Sequence, residues 1–218
     1  MAPCHWLAGS RQSTMSVWTI IPVKPLNRAK SRLAQVLSPD ERQQLAEIML
    51  RHVLDVVRSV PQVLGTLVIS RDGRALAIAR EYGARTVQES GTPQLNGALL
   101  RATQVVNRWK GGAVLILPAD LPLIAAQDVA CMIEMGQNDR TVVLATDQHQ
   151  DGTNALFVRP PGLMDYAYGP GSFQRHVELA RAAGAEVKIY ESARLLLDID
   201  VPEDLQTYNA LANLYQPK

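Results

Sequence analysis

Asp198 and Asp200 stand two residues apart at the end of an apolar run, LLLDIDVPEDL (195–205). On an extended chain, residues two apart face the same side, so both carboxylates point one way and Ile199 the other. Two like charges side by side repel, and a divalent cation that favours hard oxygen ligands, such as magnesium, removes that penalty. The alternative is that Asp200 caps the helix that follows while Asp198 is solvated. Asp120, in LPADLPL (117–123), poses the same choice between a metal ligand at a strand end and a turn or helix cap. It cannot be buried there unpaired without a large cost. Glu203 and Asp204 fall in the first turn of the last helix and suit its N-terminus.

A second cluster is basic. The stretch PVKPLNRAKSRL (22–33) carries Lys24, Arg28, Lys30 and Arg32 within nine positions and contains no glycine. Lys24, Lys30 and Arg32 can neutralise a polyphosphate with charge, where a glycine-rich loop would use main-chain N–H groups. Taken alone, the stretch also fits a solvated surface patch. In YGPGSF (168–173), Gly169 and Gly171 allow close backbone approach, and Ser172 opens a helix. Free N–H groups and a hydroxyl at a helix start make an anion site, although a turn with an ordinary N-cap has the same pattern. Thr153, in DGTNAL (151–156), says nothing without that context. Asn96 sits at a helix start, where it either caps the helix or reads a base edge. His176 falls within the helix opened by Ser172 and reads as structural or exposed rather than catalytic.

These residues need strand ends to hold them. Apolar runs of strand length occur at 17–22, 64–70, 84–88, 113–118, 141–146, 154–159, 185–190 and 195–199. Helical patterns occupy 39–59, 73–82, 94–109, 126–136, 172–183 and 202–214. Ser38, Pro39 and Glu41 announce the first helix with a capping box and proline at its first position. The alternation implies an α/β fold with a mainly parallel sheet covered on both faces. The segment 147–171 interrupts it and reads as a functional insertion holding a short β-hairpin. Ligands in such sheets bind beyond the carboxyl ends of the strands, where the acids and the basic loop lie.

A length of 218 residues suits a single domain, taken as 15–218, with residues 1–14 as a disordered extension ahead of Met15. With 22 basic against 21 acidic residues, no overall field favours nucleic acid or a membrane. The longest apolar stretch is too short and broken to span a bilayer. Cys4 and Cys131 are poorly placed to pair, so a reducing cytoplasm fits. No nucleophile elbow, zinc spacing, Walker loop or dinucleotide fingerprint occurs. Together the clusters suit a metal-assisted reaction between a nucleoside triphosphate and a second anion.

The segments IPVKPLNRAKSRLAQVLSPDER, QLNGALLRA, LPADLPLI, DGTNALF, YGPGSFQRH and LLLDIDVPEDL resemble, in collinear order from Val17 to Leu214, the 2-phospho-L-lactate/phosphoenolpyruvate guanylyltransferases of deazaflavin coenzyme F-420 biosynthesis. The resemblance implies a Rossmann-like nucleotidyltransferase fold, GT-A-like, of three α/β/α layers. It places the basic loop over the GTP phosphates, with Lys24, Lys30 and Arg32 as catalytic cations. It makes Asp120, Asp198 and Asp200 the ligands of Mg2+, two ions with GTP. Thr153, Gly169 and Ser172, with Asn96, would bind substrate, the first three holding a phosphorylated three-carbon acid. A homodimer and hand-over of the product to the next enzyme are compatible with it. Rival readings are another magnesium-dependent nucleotidyltransferase, acting on 3-phosphoglycerate, a sugar phosphate or molybdopterin, and a non-catalytic nucleotide-binding domain. The sugar-phosphate and molybdopterin enzymes should show a glycine-rich first loop, which is missing.

Overall fold

The computed structural model describes residues 15–90 and 94–215, with no account of side chains beyond residue 210. The reading of residues 1–14 as an extension lies outside the described residues. Among the described residues, seven strands and six α-helices alternate, except that the sixth strand follows the fifth directly: β1 (Val17–Val23), α1 (Pro39–Ser59), β2 (Val63–Ser70), α2 (Gly73–Glu81), β3 (Arg85–Gln88), α3 (Leu95–Arg108), β4 (Ala113–Ile116), α4 (Ala126–Met135), β5 (Thr141–Thr146), β6 (Thr153–Arg159), α5 (Ser172–Ala182), β7 (Glu186–Ile189) and α6 (Pro202–Tyr215). The strand order is β3-β2-β1-β4-β6-β5-β7, and β6 alone runs against its neighbours.

The period-two pattern of β1 explains the two-sided core. Val17, Ile21 and Val23 face the side covered by α1, α2 and α4, while Trp18 and Ile20 face α3 and α5. Apolar stripes on the helices meet them: Leu50, Val53 and Val57 of α1 on one side, Leu99, Ala102 and Val106 of α3 on the other. Helix α1 begins as its sequence demands. Ser38 accepts from the Glu41 N–H and the Glu41 carboxylate accepts from the Ser38 N–H, with Pro39 in the first position. At the end of α4, Gly136 lets β6 pack closely, because a side chain there would collide with the Phe157 ring.

Two expectations are corrected. Residues 195–199 form no strand. The segment opens on a turn at Leu195 and a bend at Leu196 and joins no strand ladder: the Leu195 carbonyl accepts from the Asn154 side chain and the Leu196 carbonyl from the Gln148 N–H. Its alternation persists, with Leu195, Leu197 and Ile199 buried and Asp198 and Asp200 half-buried. The hairpin is also not a small unit within 147–171. It is β5 and β6 of the main sheet, closed by residues 147–152, and 160–171 is irregular loop. The reversal of β6 has a direct effect on the site. It brings the start of β6, at Thr153 and Asn154, to the edge where β1 and β4 end.

Candidate functional site

The basic loop leaves β1 through two turns of 3-10 helix, Leu26–Arg28 and Ser31–Gln35. Leu26 and Leu33 are buried and pin it, and the Leu26 N–H donates to the Asp72 carboxylate at 2.7 Å. Between the turns Lys30 takes a left-handed conformation, φ 54°, ψ 36°. A side-chain-bearing residue pays for that geometry in strain, and here it turns the lysine inward.

The Lys30 Nζ lies 2.6 Å from Asp120 Oδ2 and 3.5 Å from Asp200 Oδ1. The Arg32 guanidinium lies 3.2 Å from Asp200 Oδ2. Three segments far apart in sequence thus meet at the carboxyl ends of β1 and β4, where the strand order changes direction. Burial works against the Lys30 charge, but the Asp120 carboxylate, with help from Asp200, outweighs it and holds the ammonium above its ordinary range. Asp198 shows the opposite demand. Burial, then the neighbouring Asp120 and Asp200 carboxylates, push it up to about 6. Asp200 does not cap α6 with its side chain; the Asp204 carboxylate does that work, accepting from the N–H groups of Asp200 and Val201. Lys24 is exposed on the same loop and does not join the cluster.

The donor chemistry suits a hard divalent cation. Carboxylate oxygens from Asp120 and Asp200 already bracket one positive charge, the Lys30 ammonium, and Asp198 is short of one. Among the described residues no three carboxylate, imidazole or thiol side chains stand close enough to share one ion. A shared ion would need these carboxylates to close together, with the Lys30 ammonium, now 2.6 Å from Asp120, moved aside.

The second half of the site hangs on β6 and α5. Thr153 Oγ1 lies 2.9 Å from His176 Nδ1 and accepts from the Ser172 hydroxyl at 3.3 Å. Asn154 donates to the Leu195 carbonyl at 2.8 Å and lies 3.5 Å from Asp198, joining the two halves. Gly169 and Gly171 have φ of 128° and 69°, the left-handed region that glycine enters freely. The N–H groups expected to be free are engaged within the chain. Gly171 donates to the Asp151 carboxylate, Ser172 to the Gly169 carbonyl and Phe173 to the Asp151 carbonyl. An anion bound at that helix start has to displace Asp151 from Gly171.

Asn96 neither caps α3 through its side chain nor faces open space. Its amide spans the main chain of Tyr168, donating to the carbonyl at 3.2 Å and accepting from the N–H at 2.8 Å. His176 is buried, and the Ala167 N–H donates to its Nε2 at 2.9 Å. One supporting device had no sequence signal. Asp128, buried in α4, accepts from Arg194 at 2.7 and 2.9 Å, from Ser192 at 2.7 Å, from Tyr190 at 3.0 Å and from the Ala125 N–H at 2.9 Å. It clamps the segment that leads into Asp198 and Asp200. Burial opposes its charge, but the Arg194 and Ser192 hydrogen bonds win and hold it below the usual carboxylate range.

Over 205 residues, 94% of this chain and 99% of the other, the chain is 40% identical to a phosphoenolpyruvate guanylyltransferase from Rubrobacter xylanophilus. It is 37% identical over 192 residues, 88% of this chain and 83% of the other, to a 2-phospho-L-lactate guanylyltransferase from Methanothermobacter thermautotrophicus. Its fold matches the crystal structure of a nucleotide-diphospho-sugar transferase from Desulfovibrio desulfuricans G20, with a TM-score of 0.68 at 15% identity, over 94% of this chain and all of that one. The family model described as "Guanylyl transferase CofC like" matches residues 17–209. With the basic loop, the strand-end acids and the β6–α5 hydroxyls all inside that span, the chain belongs to the CofC-like guanylyl transferases and is a nucleotidyltransferase.

Proposed function

We propose that this chain transfers GMP from GTP to the phosphate of a three-carbon acid, phosphoenolpyruvate or its relative 2-phospho-L-lactate, as a cytoplasmic step of coenzyme F-420 biosynthesis. A phosphate oxygen of the acid attacks the α-phosphorus of GTP in line. The bond from that phosphorus to the bridging oxygen of the β-phosphate breaks, and diphosphate leaves. The attacking oxygen is already ionised near neutral pH, so no general base has to remove a proton. What the reaction needs is relief of repulsion between two anions and their alignment.

The observation that carries this reading is the meeting of Lys30 and Arg32 with Asp120 and Asp200, next to the hydroxyls of Thr153 and Ser172. Lys24, Lys30 and Arg32 take the GTP phosphates, while Thr153, Gly169 and Ser172 take the acid. Asn96 serves by holding the main chain at Tyr168, next to Gly169. Asp120, Asp198 and Asp200 would hold magnesium, which when bound neutralises phosphate charge and polarises the α-phosphorus. Lys30, once displaced, is the cation nearest to follow the phosphates.

The test is diphosphate release from GTP and magnesium with phosphoenolpyruvate, 2-phospholactate or 3-phosphoglycerate, with ATP and CTP as controls. Release with GTP and one of the first two acids supports the reading and names the acceptor. Folded protein that binds GTP yet releases nothing with any of them overturns it.

A further inference from the structure

The acceptor reading uses Thr153 but not the group beneath it. His176 is fully buried, 0% exposed, and both its ring nitrogens are engaged. A main-chain N–H can only donate, so the bond from Ala167 leaves Nε2 as an acceptor and places the ring proton on Nδ1. The 2.9 Å contact to Thr153 then has the ring as donor. Ser172 donates to the same oxygen at 3.3 Å. A hydroxyl has two lone pairs and one proton. With both lone pairs filled, the Thr153 proton is the one part of that group left to point elsewhere.

We propose that His176 is a positioning residue of the acceptor subsite: held as the Nδ1-protonated neutral ring, it fixes the Thr153 hydroxyl as a donor aimed at the anionic acceptor. The chain of bonds starts at Ala167, in the loop that leads to Gly169, so it also ties that loop to the first residue of β6. The Tyr168 ring and the imidazole pack edge to face, with centroids 4.7 Å apart at 69°. Burial, and the neighbouring Arg175 charge, push its pKa down to about 4, which keeps the ring neutral in working conditions. This inference rests on the proposal that Thr153 contacts the acid.

The experiment measures KM for the acid and for GTP separately, by diphosphate release, in four single variants and one double. Thr153→Val removes the donor and should raise the acid KM by roughly ten- to a hundredfold, the loss of one hydrogen bond to a charged group, leaving the GTP KM alone. His176→Ala should do the same, and the double variant should be no worse than Thr153→Val. Two conservative variants separate orientation from packing and guard against misfolding. Asparagine can present a donor near the Nδ1 position, so His176→Asn should recover most of the acid affinity. Glutamine reaches the Nε2 position and accepts from Ala167 without donating to Thr153, so His176→Gln should remain impaired. Equal behaviour of these two, or additive losses in the double variant, overturns the inference while leaving the acceptor reading intact. An unchanged acid KM in Thr153→Val instead sinks the acceptor reading itself.

Discussion

Lys30 shows how a loop without glycine can still make a tight inward turn. Its left-handed backbone stores strain that the contacts to Asp120 and Asp200 offset. Replacing it separates the two contributions. Lys30→Ala and Lys30→Gly should both lose at least a hundredfold in turnover, the scale of removing one charge-stabilising donor. The glycine variant should nevertheless be the more stable by about 1 kcal/mol, because glycine takes that conformation freely. Urea melts of the two proteins check this, and equal stability would mean that the turn is not strained. His176 gives a pH signature. Its unfolded chain takes up a proton near 6.5, but the folded ring does so only near 4. Each step down in pH between those values favours the unfolded state, so the stability present above pH 6.5 falls by up to about 3 kcal/mol on reaching pH 4. His176→Asn should flatten that part of the profile. The types of these residues were legible in the sequence, but their pairings were not. Nothing in the chain indicates that Lys30 should meet acids 90 and 170 positions away, or that Asn96 should close on a main chain rather than a base.

At the scale of elements, helices were the easiest to place, because capping residues and apolar stripes are local. The run 195–199 shows the limit of such reasoning. It has the composition and alternation of a strand, yet a strand also needs a free sheet edge, and composition does not report edges. What holds this segment is Asp128 in α4, an acid that reads as an ordinary first-turn residue. Its partner Arg194 lies 66 residues further on, beyond the reach of any spacing rule. Removing one partner of a buried ion pair is costly, so Asp128→Ala should destabilise the protein by about 3–5 kcal/mol in chemical denaturation. It should also reduce activity at temperatures where the protein remains folded, since the segment it clamps carries Asp198 and Asp200. A loss below 1 kcal/mol would show that the clamp is dispensable.

For the molecule as a whole, the layered architecture followed from the alternation of strands and helices, whereas the reversed direction of β6 did not, because a period-two pattern reads alike in both directions. The same molecule has a cation demand that folding alone meets with Lys30 and, at Asp200, with Arg32. Magnesium at about a hundredfold excess over its dissociation constant should therefore stabilise the protein by about 2.7 kcal/mol, read as a rise in melting temperature. Asp120→Asn should abolish that rise and most turnover while keeping the fold. A normal shift in that variant would remove Asp120 from the ligand set. Finally, the reversal of β6 divides the site by ancestry of chain. On the proposed reading, the triphosphate side is gathered from three distant stretches, but the acid side, from Asp151 to His176, is one uninterrupted piece. Such a piece can be grafted. Exchanging it with a relative that accepts a different acid should transplant the choice of acid and leave the choice of nucleotide where it was.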